Sequence, residues 1–400
     1  MVSITTADSA LKDVYVGVVA NQLNISANPL LAAIKRSNKD IWGKEIVKMT
    51  TYGINGGIGA GEETGELPMA TGNNYAQLRA SLKNLYGQLE ISDKAIKSSA
   101  SNVGAFVDLL AFEMEGLVKA SSFNLGRMLY GDGSGKVAKI TAADTSAHTV
   151  TCDSVKNIIE GMVLDVYTSG GSKVASTTLK VTFVDRANKK FAYDANVYAG
   201  TGLTAGQVLY VQGSKDLEIS GLGKIFSTSG QLYGLDRTVY PWLKPYQTDS
   251  TEKEISDMVI QEALDFLEEN NDARINFIAC SSQVRRAYQQ YLTAFRRNVD
   301  VMELAGGYKT ITHNGIPVVA DRFVDDDTMY LLNTNDFTLH ELDDWKWIEG
   351  EDGRVLRQNP GHATYSATLV KYAELICDRP AAQAKICGIK ATVENPFIKA

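Results

Sequence analysis

One segment of the sequence constrains the fold more than any other: residues 53–74 are too rich in glycine and polar residues to pack into a core. The stretches on either side, 46–52 and 75–91, alternate apolar and polar residues as strands do. They predict a long hairpin, with a bulge or bend near Asn84 where the second strand changes phase. A two-stranded hairpin is only marginally stable in water, so this one must lie on something else.

A long amphipathic helix is predicted after the hairpin. Its apolar residues recur with helical spacing over residues 103–128, Ser99 and Ser101 are candidate N-cap residues, and the helix stops at Gly131. At 1.5 Å per residue such a helix would be roughly 45 Å long, which exceeds a typical globular helix. Residues 1–42, before the hairpin, lack the pattern of a core and are interpreted as an arm.

Residues 137–215 change character, because short runs rich in Val, Thr and Tyr alternate there with Gly, Ser and Asn. This pattern predicts a small all-β barrel or sandwich. Gly170 and Gly171, between two strand-like runs, are a strong hairpin signal. A helical segment precedes the β-rich stretch and a mixed segment follows it, so we interpret the stretch as a domain inserted into a larger one.

The chain after residue 250 alternates helices and strands irregularly, which predicts an α+β fold. Thr251 and Glu254 have the spacing of a capping box before a second amphipathic helix. The apolar run at 275–280 predicts a buried strand, and Ser281 or Ser282 can cap the helix that follows. Several further strands are predicted, the last of which return to an earlier sheet.

The composition narrows the class of protein. With 40 basic and 47 acidic residues the formal charge is −7, so the chain has no electrostatic reason to grip nucleic acid, and sequence-specific DNA binding is disfavoured.

No apolar run approaches the ~20 residues of a membrane helix, and the N-terminus lacks the features of a signal peptide, so we expect a soluble chain made in the cytoplasm. The four cysteines are scattered without a CxxC pair, which favours reduced thiols.

The glycine-rich segment could be mistaken for a phosphate-binding loop. However, Gly59 and Gly61 lack the third glycine at the required spacing, and no helix is predicted to open after them. Glu62, Glu63 and Glu66 would repel phosphate. We therefore favour the tip of a hairpin over a phosphate cradle.

No arrangement of residues in the sequence points to catalysis or to metal binding. The four histidines lie far apart and are expected on the surface or in turns: His148, His313, His340 and His362. The run 325–327 of three aspartates lacks the glycine and the alternation of a calcium loop, and we interpret it as a solvated turn. No known catalytic motif occurs. We expect no catalytic residue, no metal, no cofactor and no enzyme activity.

Two arginine pairs stand out, Arg285 with Arg286 and Arg296 with Arg297. They are eleven residues apart, about three helical turns, and share a face if one helix contains both. They form either a solvated basic edge or a contact with an acidic surface on a neighbouring copy, and the sequence leaves both interpretations open.

Two short motifs stand out, one directly before the β-rich insert and one in the last third of the chain. The first closes the long helix, as Arg127-x-Leu129-Tyr130-Gly131-Asp132-Gly133. The second is Asn314-Gly315-Ile316-Pro317-Val318, followed by Asp321 and a strand at 329–332. In their order and spacing, and together with the arm, hairpin and long helix, these motifs resemble the major capsid proteins of tailed bacteriophages with the Hong Kong 97-type fold. The resemblance covers nearly the whole chain apart from the insert.

The resemblance implies a division of the chain into an arm, an extended hairpin, a peripheral domain with the long helix as its spine, and an axial domain. The implied boundaries are 1–42 for the N-terminal arm, 43–95 for the hairpin, 96–136 for the spine helix, 137–215 for the insert, 216–250 for the peripheral domain continued, 251–340 for the axial domain and 341–400 for strands returning to both domains.

The resemblance also implies a function. The chain would form pentamers and hexamers in an icosahedral virion shell around double-stranded DNA, assembled in the cytoplasm of a bacterial host, with DNA contacted only weakly. A separate scaffolding protein, a portal and decoration proteins would be its partners. The hairpin of this family lies over a neighbouring subunit, which makes the hairpin residues Glu62, Glu63 and Glu66 candidate inter-subunit contacts. The arginines that could meet an acidic surface on a neighbouring copy are the other candidates: Arg285, Arg286, Arg296 and Arg297.

Some members of this family cross-link covalently through a hairpin lysine, but residues 53–74 contain none. Lys48 and Lys83 lie on the hairpin stems, so we predict no autocatalytic cross-link. Two other interpretations remain. An encapsulin-like compartment shares the fold and holds protein cargo, whereas a β-rich ligand-binding protein or hydrolase would be a stable monomer with a concave site.

Overall fold

The structure is a computed structural model, and it describes most of residues 28–390. Within that range the positions outside the description are residues 44, 95–102, 199, 201, 296–300, 304–308, 351, 352 and 354. The candidate caps Ser99 and Ser101, the arginines Arg296 and Arg297, and residues 1–27 of the predicted arm therefore lie outside the described residues.

The described part of the chain begins with a short helix and five strands. These are α1 (Pro29–Ala33), β1 (Lys35–Ser37), β2 (Ile41–Trp42), β3 (Glu45–Tyr52), β4 (Asn74–Ser81) and β5 (Lys83–Ser92). Leu30 and Leu31 are buried in the largest core, and β1 pairs in parallel with the strand Phe337–Glu341. Residues 28–37 therefore form little core of their own, and their few apolar side chains are buried by distant parts of the chain.

The predicted hairpin is shorter than the sequence suggested. β3 and β4 pair in continuous register from Glu45 opposite Ser81 to Tyr52 opposite Asn74. The chain then breaks at Leu82, near the predicted bend, and β5 leaves the hairpin to pair along its length with the strand Thr364–Cys377. The assignment of residues 83–92 to the hairpin is therefore wrong, because a longer partner strand satisfies their backbone hydrogen bonds.

The long helix α2 (Val103–Tyr130) forms as predicted and ends at Gly131, whose backbone N–H donates to the carbonyl of Met128 at 3.0 Å. At 1.5 Å per residue it is about 42 Å long. Its described apolar stripe is buried, including Met114, Val118 and Leu125. The helix lies on β5, so one surface of the sheet that contains β5 is covered by it.

The insert is a closed barrel of six strands, as the sequence predicted. Its strands are β6 (Lys136–Asp144), β7 (Thr149–Cys152), β8 (Val163–Tyr167), β9 (Lys173–Asp185), β10 (Lys190–Tyr193) and β11 (Val208–Val211). Gly171 has a φ of 84° in the predicted turn between β8 and β9. The two connections to the rest of the chain are adjacent, because the backbone N–H of Asp216 donates to the carbonyl of Ser134 at 2.8 Å.

The chain returns from the barrel to the large core. The next elements are α3 (Leu222–Ile225), β12 (Gln231–Leu232), β13 (Leu235–Asp236), a 3-10 turn (Pro241–Leu243) and β14 (Tyr246–Glu254). Helix α3 contacts α2. The predicted capping box at Thr251 and Glu254 is wrong, since both residues belong to β14. The N-cap of the following helix is Ser256, whose side chain accepts a hydrogen bond from the N–H of Val259.

The remaining elements complete two sheets. They are α4 (Asp257–Asn271), β15 (Phe277–Cys280), α5 (Ser282–Phe295), β16 (Val301–Glu303), β17 (Lys309–His313), β18 (Ile316–Ala320), β19 (Met329–Leu332), β20 (Phe337–Glu341), β21 (Lys346–Trp347), β22 (Arg357–Gln358), β23 (Thr364–Cys377) and β24 (Ala384–Lys390). Ser281 caps α5 as predicted, because its hydroxyl accepts from the N–H of Val284 at 3.1 Å.

The seven-stranded sheet has the order β14-β24-β19-β15-β18-β17-β16, and the six-stranded sheet has β1-β20-β23-β21 with β5 and β22 also on β23. The expected boundaries at 250 and 340 are therefore wrong, since β14 already belongs to the first sheet and β20 to the second. Strand β15 is buried on both sides. Ile278 and Cys280 face the core that contains α4 and α5, and Phe277 and Ala279 face the core of the six-stranded sheet.

Two of the four histidines are not surface residues, so that prediction is wrong for them. His313 is buried between helices and sheet, where Nδ1 lies 2.9 Å from the Tyr288 hydroxyl and 3.4 Å from a carboxylate oxygen of Asp257. His340 is buried on β20, and burial lowers the pKa of its imidazole. His148 does lie in a turn. Burial of a single polar ring depends on partners far away in the sequence, which local pattern does not reveal.

Candidate assembly surface

The base of the hairpin is fixed to the rest of the molecule. Ile46 on β3 and Leu78 on β4 are fully buried in the large core. The Lys48 ammonium forms an ion pair with Asp378 at 2.5 Å. The ring of Tyr52 stacks on that of Trp242, with centroids 5.6 Å apart. Both strands are therefore held in place up to the point where the tip begins.

The tip of the hairpin, residues 53–73, has the opposite character. Every residue in it is exposed, and none belongs to a strand or helix. Its large apolar side chains include Leu67, which is 90% exposed, and Met69, which is 82% exposed, together with Ile54 and Ile58. Soluble monomers rarely expose such apolar groups together, so the tip has the features of a contact surface.

These apolar residues were missed in the sequence, where the tip was noted only for its glycines and carboxylates. The available signal was the presence of four large apolar side chains in a segment too polar and glycine-rich to fold. Burying one such side chain contributes about 1.5–3 kcal/mol, so contact of the tip with another surface would be favourable.

The predicted contact residues Glu62, Glu63 and Glu66 are at the far end of this tip, and all three are exposed. The backbone N–H of Gly65 donates to the carbonyl of Glu62 at 3.0 Å, which closes a turn there. The next regular element is the strand β4 and not a helix, so the geometry does not fit a phosphate cradle. The tip thus combines apolar side chains with negative charge.

The other predicted contact residues lie elsewhere. Arg285 and Arg286 are half-buried in α5, on the seven-stranded sheet, and neither forms an ion pair with any part of the chain that the structure describes. No ion pair or hydrogen bond within the described residues joins these two arginines to the three tip glutamates.

The two motifs found in the sequence meet in space. The guanidinium of Arg127 donates to Asn124 at 2.8 Å and forms an ion pair with Glu218, and the two charged side chains are only 3% and 2% exposed. The hydroxyl of Tyr130, at the end of the same helix, donates to the Asp321 carboxylate at 3.0 Å. These contacts join the end of α2 to the seven-stranded sheet.

Burial controls the ionisation of these groups. It raises the pKa of Asp321, although the N–H of Phe323 and the Tyr130 hydroxyl donate to its carboxylate. Burial also raises the pKa of Glu218 against the opposing effect of Arg127. The pKa of Tyr130 lies well above its usual range for the same reason, reinforced by Asp321. This junction is therefore a buried polar connection between the end of α2 and the seven-stranded sheet.

The second motif forms a tight turn between β17 and β18. Asn314 and Gly315 have φ values of 50° and 80°, the left-handed conformation that a type I′ hairpin turn requires at both central positions. The following strand carries Val318 into the core beneath α4 and α5. The motif is therefore explained by local backbone geometry and by packing.

The described residues contain no group of three or more side chains arranged to hold a metal ion. None of the described helices has the length and hydrophobicity of a membrane-spanning segment. All four cysteines are free thiols, and Cys152, Cys280 and Cys377 are buried. The three aspartates 325–327 form an exposed turn, as predicted.

Comparison with solved structures identifies the fold. The chain is similar to the capsid asymmetric unit of cyanophage A-1(L), with 14% identity, 92% of each chain covered and a TM-score of 0.53. Weaker likenesses include an encapsulin of Synechococcus elongatus, at 10% identity, 94% and 97% coverage and a TM-score of 0.47, and the capsid of Myoviridae phage XM1, at 9% identity, 91% and 92% coverage and 0.45. No family model and no curated protein matches the sequence.

The arrangement of hairpin, long helix and two sheets, with the likeness to the cyanophage capsid over nearly the whole chain, shows the Hong Kong 97-type capsid fold of the α+β class. The expectation from the sequence motifs is confirmed for the fold.

Proposed function

We propose that the chain is the major capsid protein of a tailed bacteriophage and that it assembles as pentamers and hexamers into an icosahedral shell around double-stranded DNA. The observation that carries the proposal is the hairpin on this fold, with a fixed base and a tip whose apolar side chains are all exposed. Such exposed apolar side chains are favourable only when another surface covers them.

The energetics favour coupling between assembly and stability. Complete burial of Ile54, Ile58, Leu67 and Met69 on a neighbour would contribute about 6–12 kcal/mol before the cost of ordering the tip. Part of that gain offsets the loss of rotational and translational freedom. Each subunit of a closed shell makes the contact once and receives it once, so modest pairwise affinity is sufficient for a stable particle.

The partners follow from the same proposal. A separate scaffolding protein, a portal and decoration proteins would act with the chain in the host cytoplasm, and the finished protein would reside in the virion. The barrel insert would offer a surface to decoration proteins. The net charge of −7 supports weak, non-specific contact with packaged DNA.

We further propose that the shell has no autocatalytic cross-link. The tip contains no lysine, and the ammonium of Lys48 on the stem is held in the ion pair with Asp378. Boiled SDS gels of mature particles should show a single monomer band. Ladders of covalent oligomers would contradict this part of the proposal.

The test compares three forms of the expressed chain, with and without the products of adjacent reading frames, by negative-stain electron microscopy and sedimentation velocity. The wild type should form shells, tubes or rings. A tip variant with Leu67→Ser and Met69→Ser should remain unassembled at the same concentration. A control variant with Phe183→Ser and Val197→Ser, which removes exposed apolar side chains from the barrel region, should assemble like the wild type.

Other results would favour other functions. Uniform wild-type monomers at high concentration would reject the capsid proposal and favour a ligand-binding protein built on the barrel. Native particles that hold protein cargo and no DNA would favour an encapsulin-like compartment. Equal assembly of the tip variant and the wild type would show that the tip is not the contact that drives assembly.

A further inference from the structure

The helix α4 presents an acidic stripe to solvent. Ile260, Ala263 and Leu267 bury its inner side. The outer side carries Glu262 and Glu269, seven residues or about two turns apart, with a further carboxylate at 265 between them. No lysine or arginine within the described residues lies within ion-pair distance of these three carboxylates. Over its whole length the helix contains no basic residue.

The helix α5, on the same side of the seven-stranded sheet, has the opposite charge. It contains Arg285 and Arg286 and no acidic residue. Both arginines lie outside the buried stripe, which includes Val284 and Tyr288, and both lack an ion pair in the described part of the chain. The Nε atom of Arg286 is buried without a hydrogen-bond partner.

The charges at the end of α4 oppose its helix dipole. The C-terminal turn of α4 carries Glu268 and Glu269, where the dipole favours cations. Like charges three and four residues apart along α4 also repel one another. An isolated subunit therefore bears an electrostatic cost on α4 that a basic surface would remove.

The two helices do not neutralise each other within one chain. They pack on the same core of the seven-stranded sheet and are joined where the Tyr288 hydroxyl donates to Asp257 at 2.8 Å. No ion pair joins Glu262 or Glu269 to either arginine of α5 within the described residues. A second copy of the chain supplies both missing surfaces, because its α5 is complementary to α4 of the first copy.

We propose that the acidic stripe of α4 docks on the arginine pair of α5 in a second copy of the chain. The inference deepens the proposed shell function by assigning one contact between copies, and it rests on that function. The contact is polar and should set the register between copies, whereas the apolar hairpin tip supplies most of the binding free energy. Screening by salt should weaken it.

Charge reversal tests the pairing. The acid-reversed variant has Glu262→Lys and Glu269→Lys, and the base-reversed variant has Arg285→Glu and Arg286→Glu. Each should raise the protein concentration at half-assembly about tenfold or more, because like charges then face each other between copies. The variant that combines all four changes should recover most of the wild-type assembly. The measurement is sedimentation velocity over a concentration series.

Two controls keep the result interpretable. The barrel-surface variant with Lys139→Glu and Lys180→Glu changes the net charge by the same amount as base reversal and should assemble normally. If a reversal variant fails to fold by circular dichroism, the neutral variant with Glu262→Gln and Glu269→Gln replaces it, and its half-assembly concentration should lose most of the salt dependence seen for the wild type.

The possible failures are distinct. A wild type that never assembles rejects the proposed function itself. A wild type that assembles, with both reversal variants assembling at the same concentration, overturns only the pairing of α4 with α5. Loss of assembly in both reversal variants without recovery in the combined variant also overturns the pairing, since the two charged surfaces would then contact different partners.

Discussion

The carboxyl group of Glu374 makes stability depend on pH in a way that can be worked out from the structure. This residue is buried on β23, where its carboxylate accepts a hydrogen bond from the backbone N–H of Ser220 at 2.6 Å. Burial raises the pKa of Glu374 from 4.5 to about 7, against the smaller opposing effects of the hydrogen bonds from Ser220 and the charge of Lys83.

The direction of the effect follows from proton binding. Between pH 4.5 and 7 the unfolded chain has released the Glu374 proton and the folded chain still holds it, so raising the pH favours unfolding. The contribution of this group to stability is complete below pH 4.5 and is lost as the pH rises to 7. A shift of about 2.5 pKa units corresponds to about 3 kcal/mol.

The perturbation is Glu374→Gln, which keeps a hydrogen-bond acceptor and removes the ionisation. At low pH the variant should match the parent, and above pH 7 its free energy of unfolding should be higher by up to about 3 kcal/mol. The assay is urea denaturation at several pH values between 4.5 and 8. Both proteins should carry the Leu67→Ser and Met69→Ser changes, so that subunits remain unassembled and concentration does not enter.

A matched control is Glu113→Gln on the exposed side of α2, which should keep the pH dependence of the parent. The reasoning is refuted if Glu374→Gln and the parent lose stability in parallel between pH 4.5 and 7. That result would mean that Glu374 ionises in the folded subunit as easily as in water.

Three further predictions concern packing and the insert. Arg127→Ala should lower the free energy of unfolding by about 3–5 kcal/mol in urea titrations, because it leaves Glu218 buried without its partner. Gly126→Ala should cost about 1–3 kcal/mol and lower the melting temperature, because its new methyl group would collide with the Asn28 side chain and with Phe323. Excision of the barrel, residues 136–211, with a short glycine linker should leave a soluble subunit that still assembles, checked by electron microscopy.

Each of these has a control or a contradicting outcome. Gly116→Ala on the same helix meets no atom within 4 Å and should be neutral or stabilising by up to about 1 kcal/mol. Adding Glu218→Gln to the Arg127→Ala variant should recover part of the lost stability, since no buried charge then remains. The excision tests whether the rest of the subunit folds without the barrel, and aggregation of the excised chain would show that contacts with the barrel, such as that of Lys156 with Asp326, are needed for folding.

Much of the local structure could be read from the sequence. The end of α2 at Gly131 and the barrel after it were predicted within a few residues, because glycine punctuation and short β-rich runs act locally. The resemblance carried by the two motifs led to the correct fold. The structure gives those motifs physical roles, since Arg127 and Tyr130 hold the helix end and Asn314 with Gly315 forms the turn.

The candidate assembly surface was only partly predictable. The hairpin and its three glutamates were recognised, but the apolar side chains at Ile54, Ile58, Leu67 and Met69 gained meaning only when the structure left them uncovered. The acidic stripe of α4 was also missed. An amphipathic helix with a charged outer side is ordinary in a sequence, and only the absence of a counter-charge around it within the described residues marks it as a surface for another molecule.

The sequence by itself determined which segments are helices, strands and turns, because periodicity, caps and glycines depend on neighbours along the chain. The tertiary structure decided which strands pair and what is buried. In the structure β5 pairs with β23 and not with the hairpin, apolar residues of 28–37 are buried in the core, and His313 and His340 are buried. Those outcomes depend on hydrogen bonds and apolar contacts between residues tens to hundreds of positions apart, whose free energy no local pattern contains.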